Sequence, residues 1–139
     1  MKVLVVYDSN YGNTEKIAQA IGRALGGGAV KVGAVKPDDL KGLDVLIMGS
    51  PTHGGFPTEG INTLLKASLA LEGVKVAAFD TRAKASIFGY AAPRIARGLE
   101  KSGGSLVVSP EGFIVLGIKG PLKDGELERA ASWAKGLAG

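Results

Sequence analysis

A short polar segment near the amino terminus carries the side chains best suited to binding a ligand. It is the run Ser9, Asn10, Tyr11, Gly12, Asn13 and Thr14, with a hydroxyl or amide group at every position except the glycine. An apolar run precedes the segment and residues at helical spacing follow it, so it should lie where a helix begins and free N–H groups attract phosphate. Capped turns without a ligand use the same residue types. The spacing alone therefore leaves phosphate binding and an ordinary turn equally open.

This segment differs from two common nucleotide-binding motifs. It contains no Lys or Arg, and the chain holds neither Gly-x-x-x-x-Gly-Lys-Ser/Thr nor Gly-x-Gly-x-x-Gly. The first absence argues against a P-loop nucleotide triphosphatase, and the second removes the usual dinucleotide fingerprint. Any phosphate bound here would be held by uncharged donors.

Two further segments follow apolar runs and are candidates for the same site. Residues 49–58 contain two prolines and two adjacent glycines, which shape a loop and let backbone groups approach a ligand closely. Within them lies His53, the only histidine in the sequence, which we interpret as a solvent-facing or ring-edge group. Titration near a cofactor is the sharper alternative, because histidine changes charge near neutral pH. A role for His53 as catalytic base is the least favoured, because no second acid or nucleophile accompanies it. The other candidate segment, the third along the chain, begins at Asp80-Thr81-Arg82.

The elements that must position these segments alternate between strand and helix. Apolar runs predict strands at residues 2–7, 29–35, 45–48 and 74–79, and a fifth in two pieces at 106–108 and 113–116 that a break at 110–112 separates. Helical spacing predicts helices at 13–25, 59–71, 93–101 and 124–137. This alternation is typical of an α/β fold with one doubly wound parallel sheet. Because ligands of such sheets bind beyond the carboxyl ends of the strands, the three polar segments should share one edge.

Composition narrows the classes of protein. The chain of 139 residues and 14.2 kDa is interpreted as one domain, 1–139. It has no cysteine, which excludes disulfides, a thiolate nucleophile and cysteine-held zinc or iron–sulfur, and one histidine excludes a histidine-rich metal site. We expect no membrane span and, by default, a cytoplasmic location. The net charge is +4, but the cations are dispersed and no nucleic-acid-binding motif accompanies them.

Taken in order, the three segments resemble the FMN-binding loops of flavodoxins. The resemblance is carried by residues 9–14, by Ser50-Pro51-Thr52-x-Gly54-Gly55 and by Asp80-Thr81, and it extends over nearly the whole chain. The chain has no room for the segment that interrupts the fifth strand of long flavodoxins, so it is similar to the short type. The resemblance implies a five-stranded flavodoxin-like sheet in the order 2-1-3-4-5, with FMN as cofactor.

The resemblance also implies roles for individual residues. Residues 9–14 would hold the FMN phosphate, and Asp80, Thr81 and Arg82 would meet the pyrimidine edge of the ring through backbone N–H groups. The isoalloxazine would lie along the second loop, at Pro51, Thr52, His53, Gly54 and Gly55. A peptide of that loop flips on reduction in the family, and a Gly-Gly peptide would make the flip easy because glycine accepts positive φ.

Two departures from the family pattern concern the flavin ring. Many flavodoxins stack a Trp and a Tyr on it; here His53 takes the position of the Trp, and Ala83 or Lys84 that of the Tyr. Phe56 or Tyr90 are candidates to replace them. The chain is also basic rather than acidic, and cations at Arg82 and Lys84 would stabilise the fully reduced flavin. We therefore expect a higher potential for the second electron than in an acidic flavodoxin.

The favoured function is an FMN-binding electron-transfer protein, with no catalytic residue of its own. Its partners would be redox proteins that dock transiently around His53, Phe56 and Lys84. The alternative is an FMN-dependent NAD(P)H or quinone oxidoreductase, favoured by an open ring face and disfavoured by the absence of an insertion that could form a substrate pocket. A phosphoryl-receiver domain would need clustered acids after the first strand, where the chain has only Asp8.

Overall fold

In the computed structural model, which describes residues 1–67, 69–84 and 88–137, the described strands form one sheet with helices on both faces. The strands are β1 (Val3–Tyr7), β2 (Gly28–Lys31), β3 (Val45–Pro51), β4 (Lys75–Arg82), β5 (Ser105–Leu106) and β6 (Glu111–Ile114). The helices are α1 (Asn13–Leu25), α2 (Glu59–Lys66), α3 (Ala91–Lys101) and α4 (Glu126–Leu137).

The sheet is parallel and has the order β2-β1-β3-β4-β5, which confirms the predicted topology. The fifth position is shared by β5 and β6, which both pair with β4. Val76 and Phe79 of β4 are three residues apart, but their partners in β5 and β6, Leu106 and Glu111, are five residues apart. The N–H of Val107 makes the last bond to β4, to the Val76 carbonyl at 3.2 Å; residues 108–110 then leave the ladder, and Pro110 among them has no N–H to donate. The predicted break is thus present, but pairing resumes at Glu111.

Two apolar layers result from the alternation of side chains along the strands. Val3, Val5 and Tyr7 of β1 belong to the layer under α1 and α4, whereas Leu4 and Val6 belong to the layer under α2 and α3. Each face of β1 is therefore buried, as its continuous apolar run predicts.

An aromatic group fills the layer under α4. Phe79 and Phe113 lie edge-on to Trp133, at centroid distances of 6.3 and 6.0 Å. A glycine is required at position 49, because a Cβ there would overlap the ring of Phe79. Trp133, the sole tryptophan of the sequence, is thus a packing residue of this layer.

Several element boundaries differ from the sequence-based expectations, among them those of β2, α2 and α3. The edge strand β2 ends at Lys31 and is followed by a 3₁₀ turn at Val32–Ala34, since it has a partner on one side only. Helix α2 ends at Lys66, where Ala67 turns to extended backbone; position 68, which the predicted helix included, lies outside the described residues. Helix α3 begins at Ala91, two residues early, because side chains accept its first N–H groups.

Candidate functional site

The polar loops meet at the carboxyl edge of the sheet around a pocket of about 470 Å³, within the usual range for ligand sites. Ten of the fourteen predicted site residues line it: Ser9, Asn10, Tyr11, Asn13, Thr14, Pro51, Thr52, His53, Thr81 and Arg82. The other four, Gly12, Gly54, Gly55 and Asp80, do not. The pocket lies beyond the ends of β1 and β3, where the order of strands along the chain reverses, which is the expected ligand position for this topology.

The first loop leaves the beginning of α1 open. Gly12 occupies the N-cap position with a φ of +90°, and no side chain caps the helix. The Ser9 hydroxyl instead accepts the N–H of Gly12 at 3.0 Å, which shapes the loop one step before the helix. A Cβ at Gly12 would meet nothing within 4 Å, and the pocket borders Asn13 and Thr14 of the first turn. The first N–H groups of α1 are therefore available to an anion.

The second loop ends in a two-residue hairpin turn. His53 and Phe56 exchange backbone hydrogen bonds of 2.8 and 3.0 Å across Gly54 and Gly55, whose φ values are +56° and +89°. This is the type I′ geometry, which favours glycine at both central positions. The His53 Nε2 lies 3.0 Å from the Asn10 side-chain nitrogen, so the turn is tied to the first loop.

Thr81 joins the loops beneath the pocket. Its hydroxyl lies 2.8 Å from that of Thr14, and both side chains are almost fully buried. Its carbonyl accepts the N–H of Thr52 at 2.9 Å. The three predicted segments are thus held together by hydrogen bonds as well as by the sheet.

The charge of Arg82 is not directed freely at the pocket. Its guanidinium donates to both oxygens of Asp80, at 2.6 and 2.7 Å, and lies 3.5 Å above the ring of Tyr90. Asp80 has no exposed surface and also accepts the N–H of Ala92 at 2.9 Å. The expected stabilisation of reduced flavin by Arg82 is therefore offset by a carboxylate, whereas Lys84 remains exposed.

The position of Asp80 follows from a longer β4 than the sequence predicts. The strand continues through Arg82, with Asp80 paired opposite Ser50 of β3 and Gly112 of β6. Residues two apart in a strand share a face, so Asp80 and Arg82 point together towards α3. Thr81 points to the opposite face, where it reaches Thr14.

Sequence reasoning missed the loop after β6, which forms one wall of the pocket through Val115, Gly117 and Ile118. The loop folds back on itself, with the N–H of Leu116 bonded to the carbonyl of Pro121 at 2.9 Å. Apart from lysines this loop has no polar side chain that signals a site. Its membership follows from the parallel sheet, since any loop after a strand reaches the same edge.

This fourth loop brings a cation to the first loop. The Asn13 amide donates to the Lys119 carbonyl at 3.2 Å, and the Lys119 ammonium lies 5.9 Å from the centre of the Tyr11 ring.

Glu126 of α4 holds β6, the strand before this loop, by accepting the N–H of Ile114 at 2.6 Å. The hydrogen bond from Arg129 lowers the pKa of Glu126, so this carboxylate stays ionised.

The two aromatic residues considered as ring stackers do not line the pocket. Tyr90 is covered by Arg82, as described above. Phe56 is half exposed and carries the Arg94 guanidinium 3.9 Å from its ring centre, while the Arg94 Nε donates to the carbonyl of Gly55 at 2.8 Å. Among the described residues, Tyr11 is therefore the one Phe, Tyr or Trp side chain at the pocket wall, which it shares with the imidazole of His53.

Comparison with known proteins gives consistent results. Residues 5–133 match the family model described as Flavodoxin. Among curated proteins, diflavin flavoprotein A 5 from Nostoc sp. is 34% identical over 98 residues, covering 64% of this chain. The chain spans 16% of the length of that relative and 13% of that of a second, diflavin flavoprotein A 3 from Synechocystis sp..

Solved structures match over nearly the full length. An archaeal flavodoxin superimposes with a TM-score of 0.84 at 24% identity, covering 99% of this chain and 96% of that chain. Flavodoxin 2 from Bacillus cereus gives 0.85 at 25% identity, with coverages of 99% and 98%. In the part of the chain that the structure describes, no helix has the length and apolar character needed to cross a bilayer.

Proposed function

This chain belongs to the flavodoxin family of FMN-binding electron-transfer proteins, and we propose that it carries electrons between other redox proteins with FMN held in the pocket at the carboxyl edge. Bound FMN would supply the redox chemistry, accepting and donating one or two electrons. The protein would supply binding, orientation and local charge. Because its curated relatives are much longer, the identity of its partners is part of the proposal.

The donor set at the start of α1 fits the phosphate end of FMN. The helix has a glycine N-cap, no side-chain cap and a first turn that borders the pocket through Asn13 and Thr14. Ser9, Asn13 and Thr14 border the pocket with buried or nearly buried polar side chains. We assign the phosphate to these groups, with Asn10 and Tyr11 at the outer edge of the same loop. The uncapped helix at the strand-order switch is the observation that carries the proposal.

The second and third loops fit the ring end. Pro51, Thr52 and His53 line one side of the pocket, and Thr81 and Arg82 line another. The Gly54-Gly55 turn would let a backbone group rotate towards the ring more easily than other residues, because glycine accepts positive φ. Asp80 would act indirectly, because it does not line the pocket but holds Arg82 and the first turn of α3.

The experiment is a titration of apoprotein with FMN, riboflavin and FAD, followed by flavin fluorescence and visible absorption. We expect tight binding of FMN and much weaker binding of riboflavin, because riboflavin lacks the phosphate. Equal affinities for FMN and riboflavin would contradict the assignment of the phosphate to α1. Failure of the folded protein to bind any flavin would refute the proposed function.

One observation favours a second candidate, an FMN-dependent NAD(P)H or quinone oxidoreductase. In the described residues, no Phe, Tyr or Trp side chain of the second or third loop lines the pocket, so a substrate could stack on an open ring face. Steady-state oxidation of NADH and NADPH by the holoprotein, with and without a quinone, separates the two functions. Turnover of several per second would favour the enzyme, in line with typical kcat values of roughly 1–1,000 per second, whereas negligible turnover would favour the carrier.

A further inference from the structure

Large apolar side chains that reach solvent are concentrated around the pocket. Of eight such side chains among the described residues, five stand on loops at the carboxyl edge of the sheet: Tyr11, Phe56, Phe88, Leu116 and Ile118. Their exposed fractions run from 50% for Phe56 to 89% for Ile118. Single exposed apolar residues are normal, but a cluster beside a ligand pocket is typical of an interaction surface.

These side chains flank the pocket on two sides. Tyr11 and Ile118 belong to its wall, on the side of the first and fourth loops. On the other side, Phe56 adjoins the Gly55 position, against which the backbone of Phe88 packs so closely that a Cβ would overlap its carbonyl. A partner that approached the pocket would therefore contact apolar surface on both sides.

The same rim is cationic. Residues 83–94 and 115–123 contain four cations and no acid: Lys84, Arg94, Lys119 and Lys123. Among the described residues, none of the four takes part in an ion pair. The acids near the rim are Asp8, which accepts the Thr58 hydroxyl, Glu15 and Glu59 in the first turns of their helices, and Asp124 and Glu126 next to Lys123, whose charge they partly offset. The side of the pocket formed by the third and fourth loops therefore presents positive charge.

We infer that this rim, made of the five apolar side chains and the four cations named above, is the docking surface for a redox protein whose own electron-transfer centre is ringed by carboxylates. The inference rests on the proposed function, because the partner must reach the flavin pocket. Apolar contact would hold a small, transient interface, and opposite charges would steer the encounter. A second copy of this chain would present the same positive rim, which disfavours self-association there.

The experiment uses two electron acceptors that differ in surface charge alone. Cytochrome c carries many lysines, and succinylation converts them to carboxylates without changing the haem. Holoprotein is reduced anaerobically with dithionite, freed of the excess, and mixed with either cytochrome in a stopped-flow instrument. Each ferric haem takes one electron from the reduced flavin and becomes ferrous. The ratio of the two rates cancels any difference in flavin occupancy between variants.

We expect the succinylated cytochrome to react about tenfold faster at low ionic strength, with the preference disappearing as salt screens the charges. The double variant Lys84→Glu, Lys119→Glu should lose or reverse the preference. The control variant Lys101→Glu, Lys135→Glu changes the net charge equally but alters the carboxyl-terminal ends of α3 and α4, so it should retain the preference.

Three results would overturn the inference. One is equal rates for both cytochromes at every ionic strength, with FMN bound, which leaves the proposed function intact. Another is an equal loss of preference in the control variant, which would indicate net charge rather than docking at the rim. The third is sedimentation of the holoprotein with phosphatidylglycerol vesicles, abolished by the rim variant, which would assign the surface to an anionic membrane. Failure to bind FMN would refute the proposed function and this inference together.

Discussion

Removing the cation of the buried pair Arg82–Asp80 tests how the third loop is held. Asp80 has no exposed surface and receives two hydrogen bonds from Arg82 and one from Ala92. In Arg82→Met the carboxylate keeps its burial but loses its counter-ion, which costs about 3–5 kcal/mol in comparable pairs. With a urea slope on the order of 1.5 kcal/mol/M, the unfolding midpoint of the apoprotein should fall by roughly 2–3 M.

Matched variants separate the coupling between Asp80 and Arg82 from the effect of each residue alone. Asp80→Asn leaves Arg82 with 18% of its side chain in water, so we expect a smaller loss of about 2 kcal/mol. The double variant Asp80→Asn, Arg82→Met should be more stable than the sum of the single losses by at least about 2 kcal/mol. Arg97→Met, on the exposed face of α3, is the control and should change the midpoint little.

Flavin affinity provides a second measurement for the same variants. The pair joins the end of β4 to the first turn of α3, and the third loop lies between them. If the loss of the ion pair also weakens the free energy of FMN binding by about 1.4 kcal/mol, the Kd for FMN rises tenfold in Arg82→Met. Additive single losses, or a loss below about 1 kcal/mol in Arg82→Met, would refute the reasoning.

Three further predictions concern the loops and α4. Gly54→Ala should cost about 1–2 kcal/mol from positive φ alone, whereas Gly55→Ala should cost about 1–3 kcal/mol more because its Cβ meets the backbone of the third loop; equal urea midpoints would contradict this. Thr14→Val should weaken FMN about tenfold and riboflavin less, because it removes one hydroxyl at the phosphate end; equal weakening would oppose that role. Glu126→Gln should cost about 2 kcal/mol at pH 7 through its bonds to Arg129 and β6. Since that carboxyl has a lowered pKa in the fold, the stabilisation is present above its unfolded pKa of about 4.3 and is lost as pH falls through the lowered value, so acid urea titrations of both proteins should converge.

The fold was accessible from local patterns. Continuous apolar runs predicted buried strands, and their alternation with helical spacing predicted a parallel sheet with the correct order once the family resemblance was added. The edge strand β2 was predicted too long, because local apolar character does not reveal how many neighbours a strand has.

The first loop was also accessible, because the residues that precede a helix and those that begin it are neighbours in sequence. The sequence therefore predicted that the polar residues 9–14 lead into a helix, but not that Gly12 takes the N-cap position without a side-chain cap. The roles assigned to individual residues by the resemblance stay predictions, and the flavin titrations and variants above test them.

The Asp80–Arg82 pair lay within reach of sequence reasoning but was missed. The predicted strand ended at residue 79, so both residues were treated as loop positions. Had β4 been extended by three residues, their spacing of two would have indicated a shared face and an ion pair. Local apolarity does not signal this extension, since pairing with β3 and β6 supplies it.

By itself the sequence determined the succession of elements, the polar segment that leads into α1 and the positive net charge, because each depends on residues that are neighbours along the chain or on a simple sum. Only the tertiary structure decided that Thr14 meets Thr81, 67 residues away, and that Asn13 meets Lys119, 106 residues away. Such contacts depend on where the sheet places each loop and on which face of its strand each side chain lies. For the same reason, only the fold could show that Arg82 is neutralised while the lysines of the rim, Lys84, Lys119 and Lys123, are exposed.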